Sequence, residues 1–415
     1  MKHPVKTLAA LAILGVVAPS AHAVSIKDDV LSITPGIRIQ TRAQMSDATT
    51  GSLSQSGTTS APGAAIGDEY RVQGAIAGGE NDPIDFSIRR ARLYMSFKYG
   101  SNWKGQFAIN ADNVDTVDAN NNGKGANRAV QIRFAWLERA FDLGDGMSTA
   151  ITFGLNKPYQ NPSDAGMSSS REVFPNGNAA AGYLAPRGVG VGLRFNHPMF
   201  LLAADVQNND QAHNTTLASA SLAETEGFYY GIRGEFSFSP DWFIKKRAES
   251  FVGKEGHGLN IGLSYGANTD GVQAANNFRS ISAYGVDAML WLNGLSAYAE
   301  FRTGNTENEV ISTGVSTDTD QEFIVLQLAY AFPVGDEVLE PAIRYQIIDN
   351  NTDADEIVNF GNNAETGGSG TQIDIGVNYY LTGHDNKLQL SLSLWESEEG
   401  DGDATIIRLQ HQINF

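Results

Sequence analysis

The chain has 415 residues, 47 acidic against 29 basic side chains, a formal charge of −18 at pH 7 and no cysteine. This balance argues against nucleic acid as a partner, because a phosphate backbone is bound by cations that neutralise it, and the missing cysteines exclude a disulfide framework. Hydrophobic residues make up 41% and glycines number 44, a composition too apolar and too patterned for a disordered chain.

The chain opens MKHPVKTLAALAILGVVAPSAHA, with Lys2 and Lys6, an apolar stretch over 8–18 and the small-residue site Ala21-His22-Ala23. That is the layout of a secretory signal peptide. Residues 1–23 are therefore expected to be removed and residues 24–415 to form one domain. The apolar stretch is shorter than the roughly 17–25 residues of a spanning helix, and no later run reaches that length. A mature chain that crosses a membrane must then cross it as a closed barrel.

Strand-like runs with period two follow at 30–42, 86–99, 102–112, 129–140, 147–157, 188–196, 200–207, 227–238, 258–266, 279–290, 295–302, 321–332, 338–348, 371–381, 387–397 and 404–415, sixteen in all. In FSIRRARLYMSFKY (86–99), Ala91, Leu93, Met95, Phe97 and Tyr99 share one side; Arg90, Arg92, Tyr94, Ser96 and Lys98 share the other. A membrane barrel turns the first side to lipid and the second to its lumen. The last run alternates likewise and ends in Phe415, as the closing strand of bacterial outer-membrane barrels does, where assembly machinery reads that residue.

Connections sort by length. Those after even-numbered runs are mostly short (100–101, 196–199, 291–294, 382–386). Those after odd-numbered runs are mostly long (43–85, 113–128, 158–187, 208–226, 267–278, 303–320, 349–370), with a long even exception at 239–257 and a short odd one at 398–403. Short periplasmic turns opposite long extracellular loops are the pattern of an outer-membrane barrel. Acids gather in the long loops, as at Asp353, Asp355 and Glu356, where they could share cations with lipopolysaccharide. Aromatic residues near run ends (Tyr99, Trp103, Trp136, Phe195, Phe238, Tyr265, Tyr330, Phe332, Tyr379, Phe415) are expected to form interfacial girdles. The expectation is an all-β fold, a sixteen-stranded antiparallel transmembrane barrel.

Arginines alternate away from the apolar side: Arg38, Arg42, Arg90, Arg92, Arg133, Arg194, Arg233, Arg302, Arg344 and Arg408. With Lys98, Lys104 and Lys157 they form the expected lumen lining. Arg89 is out of phase and is expected at the membrane edge or beside a bulge. Inward arginines can brace the wall by pairing with Asp112, Asp205, Glu235, Glu300 and Asp374. They can also form an anion track, since the guanidinium fork binds phosphate or carboxylate oxygens and stays charged.

The stretch Phe86-Ser-Ile-Arg-Arg-Ala-Arg-Leu93, then Gly105-Gln-Phe-Ala-Ile-Asn-Ala-Asp112, Phe153-Gly-Leu-Asn-Lys-Pro158 and Arg187-Gly-Val-Gly190, resembles the phosphate-selective porin O/P family. The resemblance implies a sixteen-stranded trimeric porin that passes small hydrophilic or anionic solutes. It also implies an inward-folded third loop, a lysine cluster at the constriction and an arginine ladder, to which Arg90 and Arg92 correspond. Outer-membrane lipid and lipopolysaccharide would surround it, and no cofactor or reaction is expected.

Other motifs carry less. Gly262-Leu-Ser264-Tyr-Gly266 matches a nucleophile elbow, but that elbow needs a strand-to-helix turn and Ser264 falls within a strand. Asp118-Ala-Asn-Asn-Asn-Gly123 matches half of a calcium loop, yet Ala129 stands where the bidentate Glu belongs. Gly188, Gly190 and Gly192 share one strand face; they either leave room for loop 158–187 in the lumen or mark a bend.

Overall fold

The structure, a computed structural model, describes residues 26–27, 30–48, 85–111, 130–158, 170–176, 188–208, 228–238, 250, 252, 256–268, 271–274, 277–310, 315–349, 370–397 and 404–415. Sixteen strands form one closed antiparallel sheet. In chain order they are Leu31–Ala48 (β1), Asp85–Tyr99 (β2), Trp103–Asn110 (β3), Gln131–Gly144 (β4), Met147–Asn156 (β5), Gly188–Asn196 (β6), Phe200–Asn208 (β7), Phe228–Ser237 (β8), His257–Asn268 (β9), Asn277–Leu292 (β10), Leu295–Val310 (β11), Val315–Tyr330 (β12), Glu337–Asp349 (β13), Gly370–Thr382 (β14), Asn386–Ser397 (β15) and Ala404–Asn414 (β16). Short pieces at Ile26–Lys27, Gly271–Ala274 and Phe332–Val334 lengthen the ladders of β1, β10 and β13.

Each strand pairs with the next, and β16 closes the ring on β1 from Asn414 opposite Arg38 to Ala404 opposite Ala48. Phe415 finishes the seam: its N–H donates to Ile37 O at 2.8 Å, and Ile37 N–H donates to Phe415 O at 3.1 Å. Two-residue links such as Asn293-Gly294 need left-handed backbone, and both residues adopt it, with φ of 44° and 90°.

Burial alternates as the pattern requires, but with polarity inverted relative to a soluble core. Along β7, Leu201, Ala203, Asp205 and Gln207 are buried while Leu202 and Val206 are more than half exposed. Around the ring the outward positions are Leu, Ile, Val and aromatic, such as Leu263 at 63% and Ile232 at 57% exposure, while inward Gln40, Arg302 and Asp374 are fully buried. An apolar belt of this extent is stable only against lipid. Tyr330 stacks on Phe332 at 5.9 Å and Phe236 meets Phe238 edge-on at 4.9 Å, near the short-turn end of the belt. Tyr230 and Tyr265 meet at 6.4 Å near the other end. Trp136 is a correction to the expected girdle: it stands opposite Gln106 and Gly154 and shares its face with buried Glu138, which places it on the lumen side.

The connection expected at 303–320 is also corrected. β11 runs on to Val310 and β12 begins at Val315, so most of that stretch is a tall hairpin. Once above the lipid, neither face must be apolar. The periodic signal therefore fades while backbone pairing continues. Gly271–Ala274 likewise turns part of the expected 267–278 loop into strand.

Candidate functional site: the arginine wall and the third loop

The lumen face of β16, β1 and β2 carries Arg408, Arg38, Arg42, Arg89, Arg90 and Arg92. The register shifts between Gln40 and Thr41: Gln40 faces Arg90, Thr41 faces Ile88, and Arg89 is the extra residue. Such a bulge puts two consecutive side chains on one side of the sheet, so Arg89 and Arg90 are both buried inward. The out-of-phase Arg89 sits in a bulge, as its position suggested, and adds a lumen cation missing from the expected lining. Arg133 enters the lumen by the same device, at the irregularity of β4 opposite Ala108 and Ile109, and lies over the Phe134 ring at 5.9 Å.

Neutral oxygens hold much of this wall. Arg38 Nε donates to Asn414 Oδ1 at 3.1 Å, and its guanidinium lies over Tyr94 at 5.2 Å. Arg42 Nη2 donates to Gln410 Oε1 at 2.9 Å and to Pro175 O. Arg408 donates to Gln44 Oε1 at 3.0 Å and Ser393 Oγ at 2.8 Å. Arg90 Nη1 donates to Gln40 Oε1 at 2.9 Å. The carboxylate described against Arg90 is Glu172, from a different part of the chain.

Elsewhere the arginines are braced by acids. Arg233 pairs with Glu235 at 3.0 Å and Asp287 at 2.7 Å, Arg302 with Glu300 at 3.1 Å, and Arg344 with Asp374 at 2.8 Å. Glu138 takes both Arg194 at 2.8 Å and Lys104 at 2.9 Å. Arg194, Arg233, Arg302, Arg344 and Lys104 thus each meet an acid, the pairing that bracing of the wall requires. The G-x-S-x-G motif belongs to this bracing. A Cβ on Gly262 would stand 2.0 Å from an Arg233 nitrogen and 2.8 Å from Asp287 Oδ2, so the glycine opens space for that ion pair. Ser264 is buried and donates to Gly285 O at 3.4 Å.

Residues 170–176, between β5 and β6, lie inside the barrel against the wall built by β12–β16 and β1. Their carbonyls accept from wall side chains: Ser170 O from Gln412 at 3.0 Å, Glu172 O from Lys387 at 2.8 Å and Gln389 at 3.1 Å, Val173 O from Gln389 at 3.0 Å, and Asn176 O from Arg344 at 3.3 Å. Val173 and Phe174 pack on Ala329 and Ala342, and Arg344 lies over the Phe174 ring at 4.7 Å. Gly376 makes room for that ring, which a Cβ would meet at 2.9 Å. From the short-turn side, Ser250 of the long 239–257 connection donates its N–H to Arg171 O at 3.0 Å and its hydroxyl to Glu340 at 2.6 Å.

The inward fold of the third loop is therefore seen at 170–176. Gly188 and Gly190 face β7, where added Cβ atoms would strike Gln207 and the Val206 carbonyl. Close strand approach explains those positions.

Lys387 was missed by the sequence reading. It is fully buried and alternates in phase with Gln389, Ser391 and Ser393, a signal present in NKLQLSLSLW. Lys98 is exposed opposite Lys104, and Lys157 is half-buried just past the end of β5. Asp112, the half calcium loop 118–129 and the acidic segments 353–356 and 398–403 lie outside the described residues.

No family model matches the chain, and no curated protein matches it. Solved structures do. OprB of Pseudomonas putida aligns at a TM-score of 0.56 and 11% identity, covering 93% of this chain and 94% of that one. The outer membrane channel DcaP of Acinetobacter baumannii aligns at 0.52 and 10%, covering 95% and 100%. Salmonella typhi OmpF, solved in complex with daunomycin, aligns at 0.51 and 12%, covering 94% and 100%. This chain has the porin fold.

Proposed function

We propose that the protein is a passive outer-membrane porin for small hydrophilic solutes that favours anions, and that it catalyses no reaction. The observation that carries this is the stripe of inward arginines on β16, β1 and β2, where Arg38, Arg42 and Arg408 donate to amide, hydroxyl and carbonyl oxygens. Neutral partners position a guanidinium without cancelling its charge, so its attraction for a passing anion survives. Such groups replace part of a solute's hydration while binding weakly enough to release it. Phosphate and small carboxylates fit the fork. Export through a cleaved signal peptide, a homotrimeric assembly and contact with lipopolysaccharide belong to the same proposal.

Reversal potential in a planar bilayer under a potassium chloride gradient tests it. A potential of the sign set by chloride supports the proposal. A potential set by potassium would instead favour a general porin with a weak cation preference, for which the acidic outer loops speak.

A further inference from the structure

Glu172 reaches Arg90 from a segment that is not part of the wall. Both of its oxygens engage both terminal nitrogens, Oε2 at 2.9 Å from Nη1 and Oε1 at 3.2 Å from Nη2. This is the two-point fit of a carboxylate to a guanidinium fork. Gln40 Oε1 completes the site from the wall side, Lys387 Nζ donates to the Glu172 carbonyl oxygen at 2.8 Å, and Arg42 donates to Pro175 O of the same segment. The carboxylate thus occupies the place where a solute carboxylate or phosphate would present two oxygens.

The segment does not depend on this contact to stay in place. Its own carbonyl oxygens are held by Gln412, Lys387, Gln389, Arg42 and Arg344, and Phe174 is wedged among Ala329, Ala342 and Gly376. The Glu172 side chain can therefore rotate away from Arg90 while the backbone remains docked. A tethered group competes at an effective concentration in the millimolar range.

We propose that Glu172 is a built-in competitor for the Arg90–Gln40 site, and that the site binds anions carrying two oxygens on one centre by exchange with it. The inference rests on the anion-porin reading above and gives it a located binding step. Occupancy by Glu172 weakens apparent affinity by the fraction of time the site is free. A passing anion restores the pairing as it leaves.

The test is block of chloride current by inorganic phosphate and, separately, by acetate, on folded protein of heat-modifiable mobility, comparing the natural chain, Glu172→Gln, Arg90→Ala and the double variant. Glutamine keeps the side chain's size and all backbone attachments of the segment. The expected result is a half-blocking concentration about tenfold lower in Glu172→Gln, as follows when the site had been free about a tenth of the time, with the gain absent in the double variant. An unchanged half-blocking concentration, in a chain that still prefers chloride, would overturn the inference and leave the porin reading standing. A gain that persists without Arg90, or a conductance rising equally for potassium and chloride, would also overturn it, showing only altered field or a loosened loop. Absence of both anion preference and block in the natural chain would remove the anion-porin reading itself.

Discussion

At the scale of single residues, the lumen shows cations paired with acids and cations that neutral oxygens position. Asp374 shows the first kind: it is fully buried and accepts from Arg344 at 2.8 Å, Gln346 at 3.1 Å and Gln372 at 2.8 Å. Asp374→Asn should cost about 3–5 kcal/mol, because it strands a buried guanidinium, and the loss should appear in urea unfolding of the detergent-solubilised barrel. Gly262→Ala is expected to destabilise by about 1–3 kcal/mol, as overpacking does, since the new methyl group pushes Arg233 off Asp287. Loss of stability in either variant with chloride preference retained is the outcome expected of bracing residues. What the sequence showed at this scale was the face each arginine takes. Glu235, Glu300 and Asp374 were legible as inward acids and do meet arginines. Glu172 and Asp287 were hidden, because Glu172 comes from a loop with no periodicity and the Arg233–Asp287 pair crosses strands distant in the chain.

At the scale of elements, the bulge in β2 makes an unusually clean prediction. Thr41 already faces Ile88 and Gln40 faces Arg90, so deleting Arg89 leaves a regular ladder with no side chain reversed. Folded yield should be unchanged, and the chloride-to-potassium permeability ratio should fall, measured by reversal potential. The tall hairpin of β11 and β12 offers the opposite manipulation. Above Glu322, which pairs with Asp349, β12 has no described partner in β13, while the β11 edge of the hairpin stays paired with β10 from Thr306 opposite Ile281 to Val310 opposite Asn277. Removing 306–319 takes away Glu307, Glu309 and Asp318 and should raise chloride preference at low salt, where screening is weakest. Element existence was legible because lipid on one side and water on the other enforce period two along the wall. Element height was not, because that constraint ends where the lipid ends.

For the whole molecule, ring closure governs stability. Deleting Phe415 removes two backbone hydrogen bonds to Ile37 at the seam. Less heat-modifiable barrel should be recovered from the membrane, as compared by gel mobility of unboiled and boiled samples. The number of strands and the ring that they close were readable from alternation and sorted connections. The docking of 170–176, and its link through Arg171 to Ser250, were not: those contacts depend on side chains and carbonyls brought together only when opposite walls face each other.

The seam between β16 and β1 also fixes an order of events. The strand made last is the neighbour of the strand made first, with Asn414 beside Arg38. An emerging chain can therefore zip hairpin by hairpin, yet the exposed edge of β1 stays unsatisfied until the final residues arrive. Until then the edge must be shielded, since open strand edges in hydrocarbon carry unpaired backbone groups. The ring closes only when β16 is present to pair with β1.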